Sequence, residues 1–115
     1  MANTKITASD GGYSYEAPGH FDCKLTRLHD AADVNDGKVT MGISRFYPGG
    51  GTNYVPVPLE SIYYLLEGQL LFTDENGTET LLKKGDSVHV AANTPKSILN
   101  NGTEDALMLV VLELK

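Results

Sequence analysis

Apolar and polar residues alternate with a period of two along much of the chain, as they do in half-buried β-strands. The pattern is clear in residues 21–28, FDCKLTRL, and in residues 38–47, KVTMGISRFY. No segment keeps the helical period over about twelve residues. We therefore predict about eight to ten short strands separated by frequent turns, which is typical of a β-sandwich or a small barrel.

Two later segments are apolar on both faces: residues 61–72, SIYYLLEGQLLF, and residues 106–114, ALMLVVLEL. Strands of this kind are predicted to be covered on both sides, in a barrel wall or between packed sheets. Their outer faces also favour packing between subunits, so a homodimer is expected.

The first twenty residues are rich in Gly, Ser and Asp and lack this alternation. We predict that residues 1–20 form an N-terminal arm or an edge strand around YSYEA, and that residues 21–115 form one barrel domain. A chain of 115 residues is long enough to bury one core.

Composition and charge exclude several classes of partner. The formal net charge is −6 and no basic stripe is present, which disfavours nucleic acid and anionic membranes. No apolar run is long enough to cross a bilayer, and the N-terminal residues are too polar for a secretory signal. Cys23 is the single cysteine. A cytoplasmic location is the simplest expectation.

Two groups of residues follow fixed spacings. The first contains Gly49, Val55, Val57, Ser61 and Gly68, and the second contains Gly85, Ala91, Asn93, Lys96 and Asn100. These spacings, together with the strings YYLLEG and KKGDSVHVAANTPK, resemble the two motifs of the cupin superfamily over residues 40–112. The resemblance implies an all-β, single-domain cupin jelly-roll barrel, a double-stranded β-helix.

The turn residues of these motifs agree with that fold. Gly68 and Gly85 are expected at tight turns with positive φ, and Asn93 replaces a family glycine at a left-handed position. Asp86 is expected to fix the turn after Gly85 by a hydrogen bond to nearby backbone.

The resemblance also identifies the positions of this chain at which metal-binding members of the superfamily carry three histidines and one glutamate. The corresponding residues here are Val55, Val57, Ser61 and Lys96. Valine has no lone pair to donate, an alcohol is a poor ligand, and a protonated lysine repels a cation. We therefore predict no metal site of the usual kind and no cofactor. His20, His29 and His89 are far apart in sequence; they could still converge in space, but surface or structural roles are favoured.

Period-two alternation predicts a pocket inside the barrel. One row of side chains comes from Val55, Val57, Ser61, Tyr63 and Leu65, and the opposing row from Lys96, Ile98 and Asn100. Apolar walls with a few polar groups are typical of a small-molecule site.

Three side chains in or near this pocket are candidates for catalysis: Lys96, Tyr63 and His89. Lys96 could face the cavity and bind a carboxylate or enolate, or act as a base or amine nucleophile; alternatively it bends to the mouth and pairs with Glu60. Tyr63 is a hydrogen-bond donor to a ligand or a core aromatic. His89 is an acid–base group or an outward-facing histidine.

The favoured function is a metal-free cupin that binds a small metabolite bearing a carboxylate or carbonyl group. The alternative is a metal-independent isomerase, cyclase or lyase in which Lys96, Tyr63 or His89 transfers protons. A metal-dependent dioxygenase or decarboxylase with unusual ligands is weaker, because the residues contradict it. A structural dimerisation domain is a fourth possibility. It would need no polar row inside the barrel, so an open cavity containing Lys96 would favour the metabolite-binding and the metal-independent enzyme hypotheses.

Overall fold

A computed structural model describes residues 2–114 of the chain. The strands are β1 Tyr13–Tyr15, β2 His20–His29, β3 Val39–Thr52, β4 Val55–Val57, β5 Ser61–Glu67, β6 Gln69–Thr73, β7 Glu79–Lys83, β8 Ser87–Val90, β9 Thr94–Leu99 and β10 Ala106–Glu113. A single 3-10 turn, Ala31–Asp33, lies between β2 and β3. The prediction of an all-β chain is confirmed.

The strands form an antiparallel sheet in the order β7-β6-β9-β3-β10-β5-β8. Strand β2 pairs with β3, β1 pairs with β2, and β4 pairs with β9. The sheet curves into a nearly closed jelly-roll barrel, and strands β7 and β8 are its two ends. We call the gap between these two strands the seam. The predicted cupin jelly-roll barrel is confirmed.

The core lies between the facing walls of the barrel. Its buried apolar side chains include Phe46, Tyr63, Leu65, Leu70, Phe72, Leu82, Val90, Ile98, Ala106 and Met108. Strand β5 shows the alternation that fills this core, because Ser61, Tyr63 and Leu65 are buried while Ile62 and Tyr64 are 44% and 43% exposed. The expectation that β5 is covered on both faces is therefore wrong for the single chain. The homodimer that would cover the outer face stays a prediction.

Gly68 and Gly85 adopt positive φ of 81° and 93°, and Asn93 adopts 64°, as predicted from their motif positions. Gly68 divides the apolar segment 61–72 into strands β5 and β6. The Asp86 carboxylate accepts a hydrogen bond from the backbone N–H of Lys83 at 2.8 Å, which holds the turn between β7 and β8. The motif residues therefore maintain the turns that set the barrel's shape.

Candidate functional site

A cavity of about 190 Å³ lies inside the barrel. We call it the barrel cavity. Its lining residues come from the N-terminal strands and from β3, β4, β5, β9 and β10: Tyr15, Ala17, His20, Arg27, Ser44, Phe46, Thr52, Val57, Tyr63, Lys96, Ile98, Met108, Val110 and Leu112. The wall is mostly apolar and carries three basic side chains, and no aspartate or glutamate is among the described residues that line it.

Lys96 is buried in this cavity and is only 4% exposed. Its Nζ lies 5.2 Å from the ring centroid of Tyr63, in a cation–π contact. Within residues 2–114 this ammonium has no carboxylate within 4.0 Å and no hydrogen-bond acceptor. The position at the mouth beside Glu60 is not adopted. The Tyr63 ring is therefore the contact that offsets the buried charge.

Two further basic side chains, His20 and Arg27, approach from strand β2, and of these Arg27 carries the positive charge. Burial lowers the pKa of His20, and the positive charge of Lys96 lowers it further, against the opposite effect of a hydrogen bond with the Pro18 carbonyl. The Arg27 guanidinium lies 4.6 Å from the ring centroid of Tyr15 and 3.3 Å from a carboxylate oxygen of Asp30. The barrel cavity is thus bordered by two cationic side chains, Lys96 and Arg27, and Arg27 is paired with Asp30.

Tyr15, His20 and Arg27 line the cavity although the sequence did not predict this place for them. The signal for Arg27 was present, because the period-two alternation of residues 21–28 places it on the same face as the buried Leu25. The pairing of β1 with β2 then brings Tyr15 opposite Leu25.

Of the predicted ligand-binding residues, four line the barrel cavity: Val57, Tyr63, Lys96 and Ile98. Leu65 is buried in the core and Val55 is 46% exposed, and neither lines the cavity. Val55 pairs with Lys96 across strands β4 and β9, but it lies in a short strand whose side chains remain largely open to solvent.

Ser61 and Asn100 are buried but their polar atoms serve the scaffold. The Ser61 hydroxyl donates to the Leu59 carbonyl at 3.1 Å. The Asn100 amide donates to the carbonyls of Phe46 and Glu104, at 2.9 and 2.8 Å, and its oxygen accepts the N–H of Gly102 at 2.9 Å. Neither residue lines the barrel cavity, so their assignment to the ligand row is not supported by the geometry.

His89 lies on β8 with its side chain 61% exposed, and its Nε2 is 2.6 Å from the Glu60 carboxylate. It does not line the barrel cavity with Tyr63. The three candidate catalytic residues therefore do not form one cluster in that cavity.

A second cavity of about 470 Å³ lies at the seam, and we call it the seam cavity. Strands β6 to β9 supply its lining: Phe72, Asp74, Glu75, Thr80, Leu82, Ser87, Val88, His89, Val90, Ala91, Thr94 and Lys96. Lys96 borders both cavities. The seam cavity was not foreseen, because the sequence does not show that β7 and β8 stay unpaired.

The residues present do not fit the metal that the fold implies. In the described part of the chain, no group of three or more His, Cys, Asp or Glu side chains could hold an ion. Lys96, at one of the positions that the resemblance assigns to a ligand, brings a buried positive charge to the barrel instead of an electron pair.

Among residues 2–114, no helix is both long and apolar enough to span a membrane.

Comparisons with known proteins agree with this architecture. The Cupin domain family model matches residues 42–112. The chain is 33% identical over 108 residues to beta-D-galactosidase Rv1717 of Mycobacterium tuberculosis, covering 94% of this chain and 92% of that protein.

Solved structures with the same fold include the polyketide cyclase RemF of Streptomyces resistomycificus, with a TM-score of 0.79 and 18% identity over 97% of this chain and 80% of that one. A predicted oxalate decarboxylase of Thermotoga maritima has a TM-score of 0.81 and 22% identity over 96% of this chain and 100% of that one. These likenesses concern the fold, whereas the family match and the galactosidase relative concern descent. This chain belongs to the cupin family.

Proposed function

We propose that the protein binds a small carboxylate-bearing metabolite in the barrel cavity without a metal. The observation that carries this proposal is the buried Lys96 ammonium, which borders the cavity and has no anionic partner in residues 2–114. Burying a charge is costly unless it is paired and hydrogen-bonded. A ligand carboxylate would supply both.

The remainder of the cavity suits such a ligand. Arg27 adds positive charge, His20 adds a ring nitrogen, and Ser44, Thr52 and Tyr63 add hydroxyl groups to an otherwise apolar wall. A cavity of about 190 Å³ is smaller than the range of about 300–1,000 Å³ that is usual for drug-sized ligands. The ligand is therefore a compact metabolite.

The test uses two probes of the same shape, cyclohexanecarboxylate and its neutral amide, titrated by calorimetry at constant ionic strength. We expect the carboxylate to bind at least about tenfold more tightly, since hydrogen bonds to charged groups contribute about 1.5–3 kcal/mol. Lys96→Met should remove this preference, whereas Lys84→Met, on the exposed turn before Gly85, should keep it. Equal affinity for both probes, or a preference that survives in Lys96→Met, would contradict the proposal.

Removal of metals gives a second test. Because the donor set does not fit a divalent cation, we expect dialysis against a chelator to leave carboxylate affinity unchanged. Metal analysis before and after dialysis is the measurement. A stoichiometric transition metal whose removal abolishes binding would overturn the metal-free proposal.

A second candidate function, hydrolysis of a β-galactoside, is favoured by the 33% identity to the mycobacterial protein. Most glycosidases use two carboxyl groups on either side of the scissile bond. No carboxylate among the described residues lines the barrel cavity, but Asp74 and Glu75 line the seam cavity. Turnover of 4-nitrophenyl β-D-galactoside that is lost in Glu75→Gln and kept in Glu104→Gln would support hydrolysis at the seam; no turnover by the wild type would exclude this substrate.

A metal-independent proton-transfer enzyme remains the other alternative. Lys96 and Tyr63 are adjacent in the barrel cavity, but His89 pairs with Glu60 on the exposed side of β8. Only Lys96 and Tyr63 could therefore act together on a ligand in the barrel cavity. Binding is favoured because His89, the third member of the predicted set, does not join them there.

A further inference from the structure

The seam cavity combines two kinds of surface. Its floor is apolar and buried, with Phe72, Leu82 and Val90 exposed by only 6–7%. Its rim carries the hydroxyl groups of Thr80, Ser87 and Thr94 and the carboxylates of Asp74 and Glu75. A polyhydroxylated ring matches this arrangement, because its C–H face suits an apolar floor and its hydroxyl groups suit a rim of acceptors and donors.

The two carboxylate oxygens of Asp74 have different surroundings. Oδ1 of Asp74 accepts the backbone N–H groups of Asn76 and Thr78, both at 2.9 Å, and so fixes the β6–β7 turn. Oδ2 of Asp74 has no hydrogen-bond partner within residues 2–114. One carboxylate oxygen held next to the cavity is thus left to accept a ligand hydroxyl.

A buried cation also borders this cavity. Lys96, which is more than nine-tenths buried and has no acceptor in the described chain, lines the seam cavity as well as the barrel cavity. The seam cavity therefore has an acidic rim on its outer side and a buried cation on its inner side. This polarity would orient a ligand with its hydroxyl groups toward the rim and its carboxylate toward Lys96.

We propose that the seam cavity is a carbohydrate subsite and that the ligand class is a sugar acid, a hydroxylated ring bearing a carboxylate. This inference rests on the proposed function, since it uses the same Lys96 as the carboxylate anchor. It adds a binding surface on strands β6 to β9 and a ligand chemistry that the barrel cavity alone does not specify.

Three probes separate the two contributions: D-galacturonate has hydroxyl groups and a carboxylate, D-galactose has the hydroxyl groups alone, and cyclohexanecarboxylate has the carboxylate alone. Calorimetric titration should give D-galacturonate the highest affinity, at least about tenfold above that of D-galactose or cyclohexanecarboxylate. Each good hydrogen bond between ligand and protein can raise the affinity severalfold.

The variant Thr80→Val/Thr94→Val removes two rim hydroxyl groups with little change in side-chain volume. We expect it to weaken D-galacturonate binding about tenfold and to leave cyclohexanecarboxylate binding unchanged. Thr103→Val, on the exposed loop before β10, is the matched control and should bind both probes like the wild type. Equal thermal midpoints for all variants would show that the fold is intact.

The outcomes distinguish the two proposals. If cyclohexanecarboxylate binds as tightly as D-galacturonate, or if Thr80→Val/Thr94→Val binds D-galacturonate normally, the carbohydrate subsite is wrong and the anchor at Lys96 stands. If D-galactose binds as tightly as D-galacturonate and the double variant weakens both, the subsite stands and the carboxylate anchor is wrong. If none of the probes binds, both proposals fail.

Discussion

Lys96 and Asn100 are buried polar side chains only four residues apart at strand β9, and their surroundings differ completely. Each polar atom of the Asn100 side chain has a backbone partner, so this residue joins β3 to the loop before β10. The Lys96 ammonium has an aromatic ring beside it and no acceptor among residues 2–114. A buried polar group with protein partners stabilises the fold, whereas a polar group that opens onto a cavity without a protein acceptor is a candidate for binding.

The largest effect that follows from this difference is expected at Asn100. Asn100→Ala would leave the carbonyls of Phe46 and Glu104 and the N–H of Gly102 without their partner. We expect the free energy of unfolding to fall by about 2–4 kcal/mol, because an orphaned buried group costs about 1–3 kcal/mol and the bonds to Glu104 and Gly102, which are only partly buried, add less. Urea denaturation followed by circular dichroism measures it.

Asn101→Ala is the matched control, since Asn101 is exposed and its oxygen accepts only an exposed hydrogen bond from Gln69. Its loss should stay below about 0.5 kcal/mol. Similar losses in the two variants would mean that the hydrogen bonds of Asn100 do not anchor the loop.

Lys96→Met should have the opposite effect on stability. Methionine keeps the volume and removes a buried charge that no carboxylate of the described chain compensates. We expect the free energy of unfolding of the unliganded protein to rise by about 1–3 kcal/mol while carboxylate binding is lost. Thermal unfolding with and without cyclohexanecarboxylate measures both effects. A destabilised variant would place Lys96 with Asn100 in the scaffold.

The contact between Lys96 and Tyr63 should give a smaller, coupled effect. A double-mutant cycle with Lys96→Met and Tyr63→Leu isolates it from the packing lost with the ring. With the Nζ 5.2 Å from the ring centroid, we expect a coupling energy of about 0.5–2 kcal/mol in unfolding experiments. The same cycle with Tyr63→Phe, which keeps the ring, should give almost none. Zero coupling in the first cycle would mean that the ring does not stabilise the ammonium.

The difference between Lys96 and Asn100 could not be predicted from the sequence, which placed both in one ligand row. Alternation gives the inward face of β5 and β9 correctly, and the motif spacing located Gly68, Gly85 and Asn93 at turns with positive φ. The partners of Asn100, however, come from β3 and from the loop after β9, and only tertiary structure brings them together. Arg27 and Tyr15 were missed for the same reason, because the pairing of β1 with β2 decides their place.

The smallest expected effect concerns His20. Its burial, together with the smaller effect of the Lys96 charge, holds its pKa below the ordinary value of about 6.5. Because the unfolded chain then binds more protons than the folded one, this histidine contributes stability that is complete above about pH 6.5 and is lost as the pH falls toward the folded pKa. Thermal midpoints between about pH 7.5 and pH 5 should therefore fall less in His20→Gln than in the wild type. Lys96→Met should give an intermediate slope, since it removes one of the two causes. If Lys96→Met and the wild type have the same slope, the ammonium does not act on His20.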